Sequence, residues 1–222
     1  MALRIVVLGP PASGKGTQGR RLAESLGLGY LSTGALLREE VEKQSELGLL
    51  AEPILARGHY LPDELMCRIL ADWLEKQANG WLLDGFPRSV PQAAFLDRWL
   101  TDHRMTLNAA VSLEVPFDVL LGRIGGRVEC PDCRWSGQAE QTRKDDGCPV
   151  CGHSVSARPD DSVENFTERH AEFERLTRPV IDYYQERGLL FRCNATKPQD
   201  DVAANLLQHF SPCQGDSSIL DS

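Results

Sequence analysis

The first residues that could do chemistry form a glycine-rich loop near the amino terminus. An apolar run over residues 5–8 leads into Gly9-Pro10-Pro11-Ala12-Ser13-Gly14-Lys15-Gly16-Thr17, after which a helical pattern begins. Glycines at the first and sixth positions let backbone N–H groups turn towards phosphate oxygens, the lysine adds a positive charge, and the helix N-terminus adds its dipole. A glycine turn beside a surface lysine is the simpler explanation, but the order of strand, loop and helix favours a phosphate-binding site.

Four cysteines form a second candidate site. Fourteen residues separate the pair Cys130-x2-Cys133 from the pair Cys148-x2-Cys151. This spacing is close to that of four-cysteine zinc sites, in which all four thiolates hold one tetrahedral ion. Zinc would be structural here, because four thiolates leave no open position for chemistry. Two disulfides and an iron site are the alternatives, and we expect His153 to lie beside the site or in solvent.

The composition describes one folded unit that binds a small anion and not a nucleic acid. The 222 residues suffice for one core with a small insertion, and the formal net charge of −8 opposes binding to a polyanionic backbone. The chain has no apolar run of about 18 residues that could span a membrane, and its first apolar run is too short for a signal peptide. Seven cysteines, an odd number, indicate reduced thiols. We therefore expect a cytoplasmic protein with no membrane or nucleic-acid partner.

Short apolar runs alternate with helical patterns along the chain. Because the runs are nearly continuous in apolar residues, they suit strands that are buried on both faces of a parallel sheet. The alternation predicts an α/β fold, with a doubly wound parallel sheet of about five strands and flanking helices. The expected strands are 3–8, 29–31, 80–83, 109–115 and 189–194. The expected helices are 15–26, 61–76, 90–100, 117–124 and 160–186, the last interrupted at Pro179.

Two segments depart from this alternation. Over residues 125–157, glycines, prolines, cysteines and charges replace any helical period, which predicts a small module inserted into a core made of residues 1–124 and 158–210. A module of about thirty residues has too little apolar core to fold unaided, so a metal ion is a reasonable source of its stability. Residues 211–222 are small, polar and acidic, and we expect a disordered tail there.

The end of the glycine loop resembles that of one enzyme family. In Gly14-Lys15-Gly16-Thr17-Gln18 the hydroxyl comes two residues after the lysine, as in the nucleoside monophosphate kinases. The stretch Leu31-Ser32-Thr33-Gly34-Ala35-Leu36-Leu37-Arg38 resembles the monophosphate-binding stretch of that family, and Leu82-Leu83-Asp84-Gly85-Phe86-Pro87-Arg88 resembles its third-strand signature. The resemblance extends to about residue 210. It implies a P-loop kinase fold with a monophosphate-binding helical segment over about 32–62.

Within that family the chain is most similar to the adenylate kinases. Gln92 matches the glutamine that reads the adenine edge in those enzymes, and an amide offers the donor and the acceptor that adenine requires. The four-cysteine module coincides with the lid of the long-form adenylate kinases, some of which hold zinc there. The resemblance implies a monomer that reversibly converts ATP and AMP into two ADP, uses Mg²⁺, and closes its lid over both nucleotides.

The resemblance also implies a role for each matching residue. The catalytic cations are Lys15, Arg88, Arg123, Arg158 and Arg169. The ATP-binding residues are Gly9, Pro11, Ala12, Ser13, Gly14, Lys15, Gly16, Thr17, Arg123, Arg127 and Lys197. The AMP-binding residues are Thr33, Arg38, Leu61, Gly85, Arg88, Gln92, Arg158 and Arg169. Asp84 holds Mg²⁺ through water, and zinc is bound by the four cysteines.

Two positions depart from the family pattern. Ala12 stands where a glycine is usual, and Ala35 replaces the aspartate that normally follows the Thr-Gly pair. If position 12 requires a positive φ, an alanine there costs about 1–2 kcal/mol. The alternatives are a kinase for another monophosphate, a kinase that uses GTP as donor, and a nucleotide-binding regulator or zinc-binding interaction protein built on an inactive kinase fold.

Overall fold

The apolar runs of the sequence form the strands of a central sheet. The computed structural model describes residues 2–133, 135–143, 145, 147–157 and 161–211. In chain order the strands are β1 (Arg4–Leu8), β2 (Gly29–Ser32), β3 (Trp81–Asp84), β4 (Ala109–Glu114), β5 (Arg127–Glu129), β6 (Ser136–Gln138), β7 (Ser156–Ala157) and β8 (Leu190–Asn194). Five of them pair in parallel in the order β2-β3-β1-β4-β8, which confirms the predicted parallel sheet.

Helices cover both faces of this sheet. They are α1 (Lys15–Leu26), α2 (Thr33–Glu42), α3 (Glu46–Leu55), α4 (Asp63–Leu74), α5 (Val90–Asp102), α6 (Phe117–Ile124), α7 (Val163–Glu172), α8 (Arg178–Glu186) and α9 (Gln199–Phe210). Val7 packs with Leu22 of α1 on one face, whereas Val6 packs with Leu96 of α5 on the other. Successive strand residues point to opposite faces, so burial on both sides explains the continuous apolar runs. None of the described helices is long and apolar enough to cross a membrane.

The long helical pattern near the carboxyl terminus is interrupted earlier than predicted. The expected break at Pro179 is wrong by a few residues, because a π-helical turn over Phe173–Thr177 separates α7 from α8, and Pro179 lies in the first turn of α8. Proline has no N–H and cannot donate to the carbonyl four residues before it. The N–H of Arg178 bonds to the carbonyl of Phe173, five residues back, so the irregular turn precedes the proline. Helix α9 was not predicted from the sequence.

A second, smaller sheet is inserted between α6 and α7. Its three antiparallel strands have the order β6-β5-β7, and a short 3₁₀ turn, Ala139–Gln141, follows β6. All three strands fall within residues 125–157, where the sequence predicts a separate module. Residues 158–160 and 212–222 lie outside the described residues, so that neither the predicted role of Arg158 nor most of the predicted tail is tested.

The sheet topology brings two of the sequence motifs to one edge. Strands β1 and β3 are neighbours, and Val7 pairs with Asp84. The glycine loop follows the carboxyl end of β1, and residues 85–88 follow the carboxyl end of β3. Ligands of open α/β sheets bind at the carboxyl ends of the strands. The fold therefore places both motifs where a shared ligand site would form.

Candidate functional site

The glycine loop closes around the side chain of Lys15. The ammonium nitrogen donates hydrogen bonds of 2.8 Å to the carbonyl oxygens of Gly9 and of Pro10. The Ser13 hydroxyl is buried, and it has no hydrogen-bond partner among the described residues. Since buried polar groups are nearly always paired, this hydroxyl is available to a ligand in the loop.

Positive charges gather above this loop. Arg88 and Arg169 line the same cleft as Lys15, and the cleft holds about 390 Å³ of empty space that is partly open to solvent. Burial, helped by the charges of Arg88, Arg169 and Arg127, lowers the pKa of Lys15 to about 7, although the charge of Asp84 opposes this shift. Cations held this close to one another, with one carboxylate nearby, favour the binding of a polyanion.

A second cavity adjoins this cleft. It has about 270 Å³ of empty space, part of it open to solvent, and shares Tyr60, Gly85 and Arg88 with the cleft as lining residues. Its lining includes three more of the residues predicted to bind AMP, namely Thr33, Leu61 and Gln92. Gly85 has a φ of 79°, and a Cβ at this position would lie 2.8 Å from the Thr33 hydroxyl and 2.9 Å from Arg88 Nη2. Both the backbone angle and the crowding therefore require glycine here.

The amide of Gln92 is held at the wall of this cavity. Its Oε1 accepts a hydrogen bond of 2.8 Å from the Arg88 backbone N–H, and its Nε2 donates one of 2.7 Å to Asp63 Oδ1. The other carboxylate oxygen of Asp63 accepts from the Ser89 hydroxyl at 2.7 Å. Each polar group of the amide can make a further hydrogen bond, so that Gln92 is both oriented and available.

Asp84 lies at the end of β3, beside the glycine loop, and only 6% of its surface is exposed. The Tyr30 hydroxyl donates a hydrogen bond of 3.1 Å to Asp84 Oδ2. Burial, together with the charge of Asp84, raises the pKa of Tyr30, which therefore remains a donor at neutral pH. Carboxylate oxygens are the ligands that a hard divalent cation prefers.

The inserted sheet touches the core on both sides of the cleft. The Thr17 hydroxyl, at the start of α1, donates a hydrogen bond of 3.3 Å to the carbonyl oxygen of Ser136 in β6. Arg38 Nη2 of α2 lies 3.9 Å from Glu129 Oε1 of β5. The insert thus contacts α1, which begins in the glycine loop, and also α2.

Three of the predicted arginines lie where the insert meets the core. Arg123 Nη2 donates a hydrogen bond of 2.7 Å to the carbonyl oxygen of Ala195, in the loop after β8. Arg127 forms an ion pair with Asp161, in which Nε is 2.6 Å from Oδ2. Arg169 Nη1 lies 3.9 Å from Asp161 Oδ1. Asp161 therefore holds the two cations on either side of it.

The structure brings some of the predicted residues together and leaves others apart. Lys15, Gly85, Arg88 and Arg169 line one cleft. Lys197 lies in the exposed loop between β8 and α9, and it is not among the residues that line either cavity. Arg158 falls outside the described residues.

The four cysteines have the geometry of a metal site. Their sulfur atoms all lie within 4.8 Å of one another, and the distances Cys130–Cys151 and Cys133–Cys148 are both 3.5 Å. A disulfide requires about 2.05 Å, whereas the sulfur atoms around a tetrahedral zinc are about 3.8 Å apart, since each Zn–S bond is about 2.3 Å. No disulfide joins the described cysteines. Sulfur atoms at these distances fit one zinc ion. His153 is exposed, and its Nδ1 is 3.4 Å from the sulfur of Cys151.

Comparisons with known proteins agree with this geometry. The model of the adenylate kinase family matches residues 7–189. The chain belongs to the adenylate kinase family. It is 40% identical to the adenylate kinase of Streptomyces coelicolor over 211 residues, which are 93% of this chain and 97% of that protein. It is 37% identical to the adenylate kinases of Caldanaerobacter subterraneus subsp. tengcongensis over 204 residues (90% of this chain, 92% of that protein) and of Methanosarcina acetivorans over 208 residues (92% and 96%).

Family membership establishes the class of enzyme. This kinase is a nucleoside monophosphate kinase, which is a phosphotransferase. The four cysteines of its insert agree with the long form that the sequence indicates. The resemblance first seen in the glycine loop and in the two later stretches is confirmed over most of the chain.

Sequence reasoning missed several residues of the site. Asp63 orients Gln92, and Tyr30 donates to Asp84. Tyr60 lines both cavities. Asp63 gives a weak signal in the sequence, since it follows a proline and opens a helix. The two tyrosines give none, because their partners are distant in sequence and only the fold brings them together.

Ala12 has the positive φ that is unfavourable for a non-glycine residue. Its φ is 62°, in the left-handed region, where an alanine costs about 1–2 kcal/mol. Gly14, in the same loop, has a φ of 93°, and a Cβ there would meet nothing within 4 Å. The two positions therefore allow matched substitutions that change backbone strain without a steric clash.

We expect Ala12→Gly to raise the free energy of unfolding by up to about 1 kcal/mol, because relief of strain exceeds the added entropy of the unfolded chain. Gly14→Ala should lower it by about 1–2 kcal/mol, since it introduces the same strain. Urea unfolding of the three proteins measures both changes. A destabilised Ala12→Gly variant would contradict the strain at position 12.

Proposed function

We propose that this kinase reversibly transfers a phosphoryl group from ATP to AMP and so forms two ADP. The position of Arg88 carries the proposal, because its side chain lines both the cleft of the glycine loop and the adjoining cavity. A cation at this boundary can contact phosphates of two nucleotides at once. Membership of the adenylate kinase family supports the same reaction.

We place ATP along the glycine loop. The buried Ser13 hydroxyl and the Lys15 ammonium would bind its phosphates, and the loop glycines leave room for close approach of the backbone. Arg123 and Arg127 would approach these phosphates from the insert, and Lys197 belongs to the loop that would meet the adenine. The donor site consists of Gly9, Pro11, Ala12, Ser13, Gly14, Lys15, Gly16, Thr17, Arg123, Arg127 and Lys197.

We place AMP in the second cavity. Gln92 is oriented by Asp63 and retains one donor and one acceptor position, which suits the amino group and ring nitrogen of adenine. Arg88 would bind the acceptor phosphate. The acceptor site consists of Thr33, Arg38, Leu61, Gly85, Arg88, Gln92, Arg158 and Arg169.

Phosphoryl transfer mainly requires that the two nucleotides are held in position and that positive charge surrounds the transferred group. The acceptor is already a phosphate oxygen, so no general base is required, and the protein must stabilise the charge of the moving phosphoryl group. Lys15, Arg88, Arg123, Arg158 and Arg169 would do so from several directions. Asp84 has the buried carboxylate that could hold a hydrated Mg²⁺ beside the glycine loop, and this ion supplies further positive charge to the phosphates when bound.

Water must be kept from the transferred group, because it would compete with AMP as acceptor. We assign residues 125–157 to a lid that closes over both nucleotides, while residues 1–124 and 158–210 form the core. Contacts from β6 to Thr17 and from β5 to Arg38 support this assignment, since they reach the donor side and the acceptor side. Closure of such a lid often limits the turnover rate.

We further propose that one structural zinc ion holds the lid together. The sulfur distances support four-thiolate coordination at Cys130, Cys133, Cys148 and Cys151. Burial alone would raise the pKa of Cys148, but the backbone N–H groups of Cys151 and Val150 face its sulfur and help lower that pKa to about 6. The free described thiols favour a reducing compartment, and we propose a cytoplasmic monomer.

A coupled assay for ADP tests the function. We expect ADP from ATP and Mg²⁺ with AMP as acceptor, and little with CMP, UMP or GMP. Arg88→Ala and Arg123→Ala should each lower turnover at least ~100-fold, because each removes about 3 kcal/mol of transition-state stabilisation. Arg187→Ala is the matched control, since Arg187 stacks on Tyr183 outside both cavities and should keep wild-type turnover. If the protein binds nucleotides tightly but turns over no acceptor, the proposed function is wrong and the protein is a nucleotide-binding regulator.

The low pKa of Lys15 predicts proton uptake when ATP binds. At pH 8.5 the free enzyme, with a Lys15 pKa of about 7, has a mostly neutral amine, and bound phosphates would raise that pKa towards 10.5. We expect about one proton to be taken up per ATP, measured by calorimetry in buffers of different ionisation enthalpy. A Lys15→Arg variant, which is charged throughout, should take up none. Equal uptake by both proteins would argue against a neutral Lys15.

Metal analysis tests the zinc site. The purified protein should contain one zinc per chain, and its removal by a chelator should lower the melting temperature. Cys148→Ser should lose the ion, whereas Cys67→Ser, which lies outside the cluster, should retain it. A metal-free protein whose stability is unaffected by chelation would eliminate the proposal.

A further inference from the structure

Tyr60 makes a contact with Arg88 that the proposed mechanism does not use. It lies between α3 and α4, and the guanidinium carbon of Arg88 is 4.4 Å from the centre of its ring. The ring also lines both cavities. A cation over an aromatic face is attracted by the electrons of the ring, and the attraction grows as water is excluded.

The second constraint on Arg88 comes from its own loop. Arg88 Nε donates a hydrogen bond of 2.7 Å to the carbonyl oxygen of Gly85, which also accepts one of 2.9 Å from the Thr33 hydroxyl. The hydrogen bond fixes one edge of the guanidinium, and the Tyr60 ring covers one face. Together they define the plane of the group and leave its terminal nitrogens, Nη1 and Nη2, to reach a ligand.

The loop that holds Tyr60 is itself anchored on α7. Gly58 has a φ of 75°, and a Cβ there would lie 3.2 Å from Arg169 Cγ and 3.4 Å from the Asn165 carbonyl oxygen. His59 Nδ1 lies 3.4 Å from Glu172 Oε1. The position of the Tyr60 ring is therefore set by contacts with the helix that carries Arg169.

We propose that Tyr60 is a positioning residue, whose ring holds the Arg88 guanidinium in the orientation that binds the acceptor phosphate. The inference rests on the proposed function, since it assumes that AMP occupies the cavity beside Arg88. An aliphatic side chain could fill the same space, but it would neither attract the cation nor restrict its plane. Tyr60 then acts on AMP binding through Arg88, and the affinity for ATP changes less, because Lys15 and the glycine loop also hold the ATP phosphates.

Substitutions at position 60 separate this role from simple packing. Tyr60→Phe retains the aromatic face and should bind AMP with nearly wild-type affinity. Tyr60→Leu removes the face and should weaken AMP binding about tenfold while the affinity for ATP falls much less. Titration calorimetry gives both affinities, and thermal unfolding of each variant shows whether the fold is intact. Equal AMP affinity in Tyr60→Leu and the wild type would overturn the proposal.

A double-mutant cycle tests whether the effect passes through Arg88. In an Arg88→Ala background, Tyr60→Leu should cause no further loss of AMP affinity, because the group that it positions is gone. Additive losses would mean that the ring contacts AMP itself, and they would overturn the positioning role. Failure of the proposed function looks different: the wild-type enzyme would not bind AMP at all, and both proposals would fall together.

Discussion

The site depends on holding several positive charges in one small cleft. Lys15, Arg88 and Arg169 line it together, and Arg127 lies near enough to help depress the pKa of Lys15. Like charges in partly dry surroundings repel strongly, so the arrangement is unfavourable without an anion. Each cation is held by an acceptor of the protein: loop carbonyls for Lys15, the Gly85 carbonyl for Arg88, and Asp161 for Arg127 and Arg169. A bound polyphosphate would relieve the repulsion between these cations. The same repulsion that makes the empty cleft unfavourable therefore increases its affinity for nucleotides.

The parallel sheet makes this concentration of charge possible. Because β1 and β3 are neighbours, the glycine loop and the stretch after Asp84 leave the sheet side by side. Apolar helices on both faces bury the strands, so the polar loops at their carboxyl ends rest on a rigid base. The inserted sheet contacts Thr17 at the start of α1 and approaches Arg38 of α2. The four cysteines lie in this insert, which is too small to bury a large apolar core of its own.

Most of the fold could be predicted because its signals are local. Continuous apolar runs gave the five strands, and α1 and α6 have the predicted bounds. The helix interruption was predicted at Pro179 but lies in the preceding π-helical turn, because the hydrogen bond that a proline loses affects the turn before it. Motif spacing identified the glycine loop and the cysteines. Three residues of the site were missed because their partners are distant in sequence and spacing does not reveal the contacts. These contacts are Tyr30 with Asp84, Tyr60 with Arg88, and Asp63 with Gln92. The role of Arg158 stays a prediction.

The central claim is that two nucleotides meet across Arg88 in one continuous site. Its most direct test is calorimetric titration with a compound in which five phosphates join two adenosines. The account predicts that one molecule binds per chain and that it competes with ATP and with AMP alike. Arg88→Ala should weaken the binding of this compound more than it weakens the binding of ATP. Two molecules bound per chain, or competition with ATP only, would mean that the two cavities do not form a single reaction site.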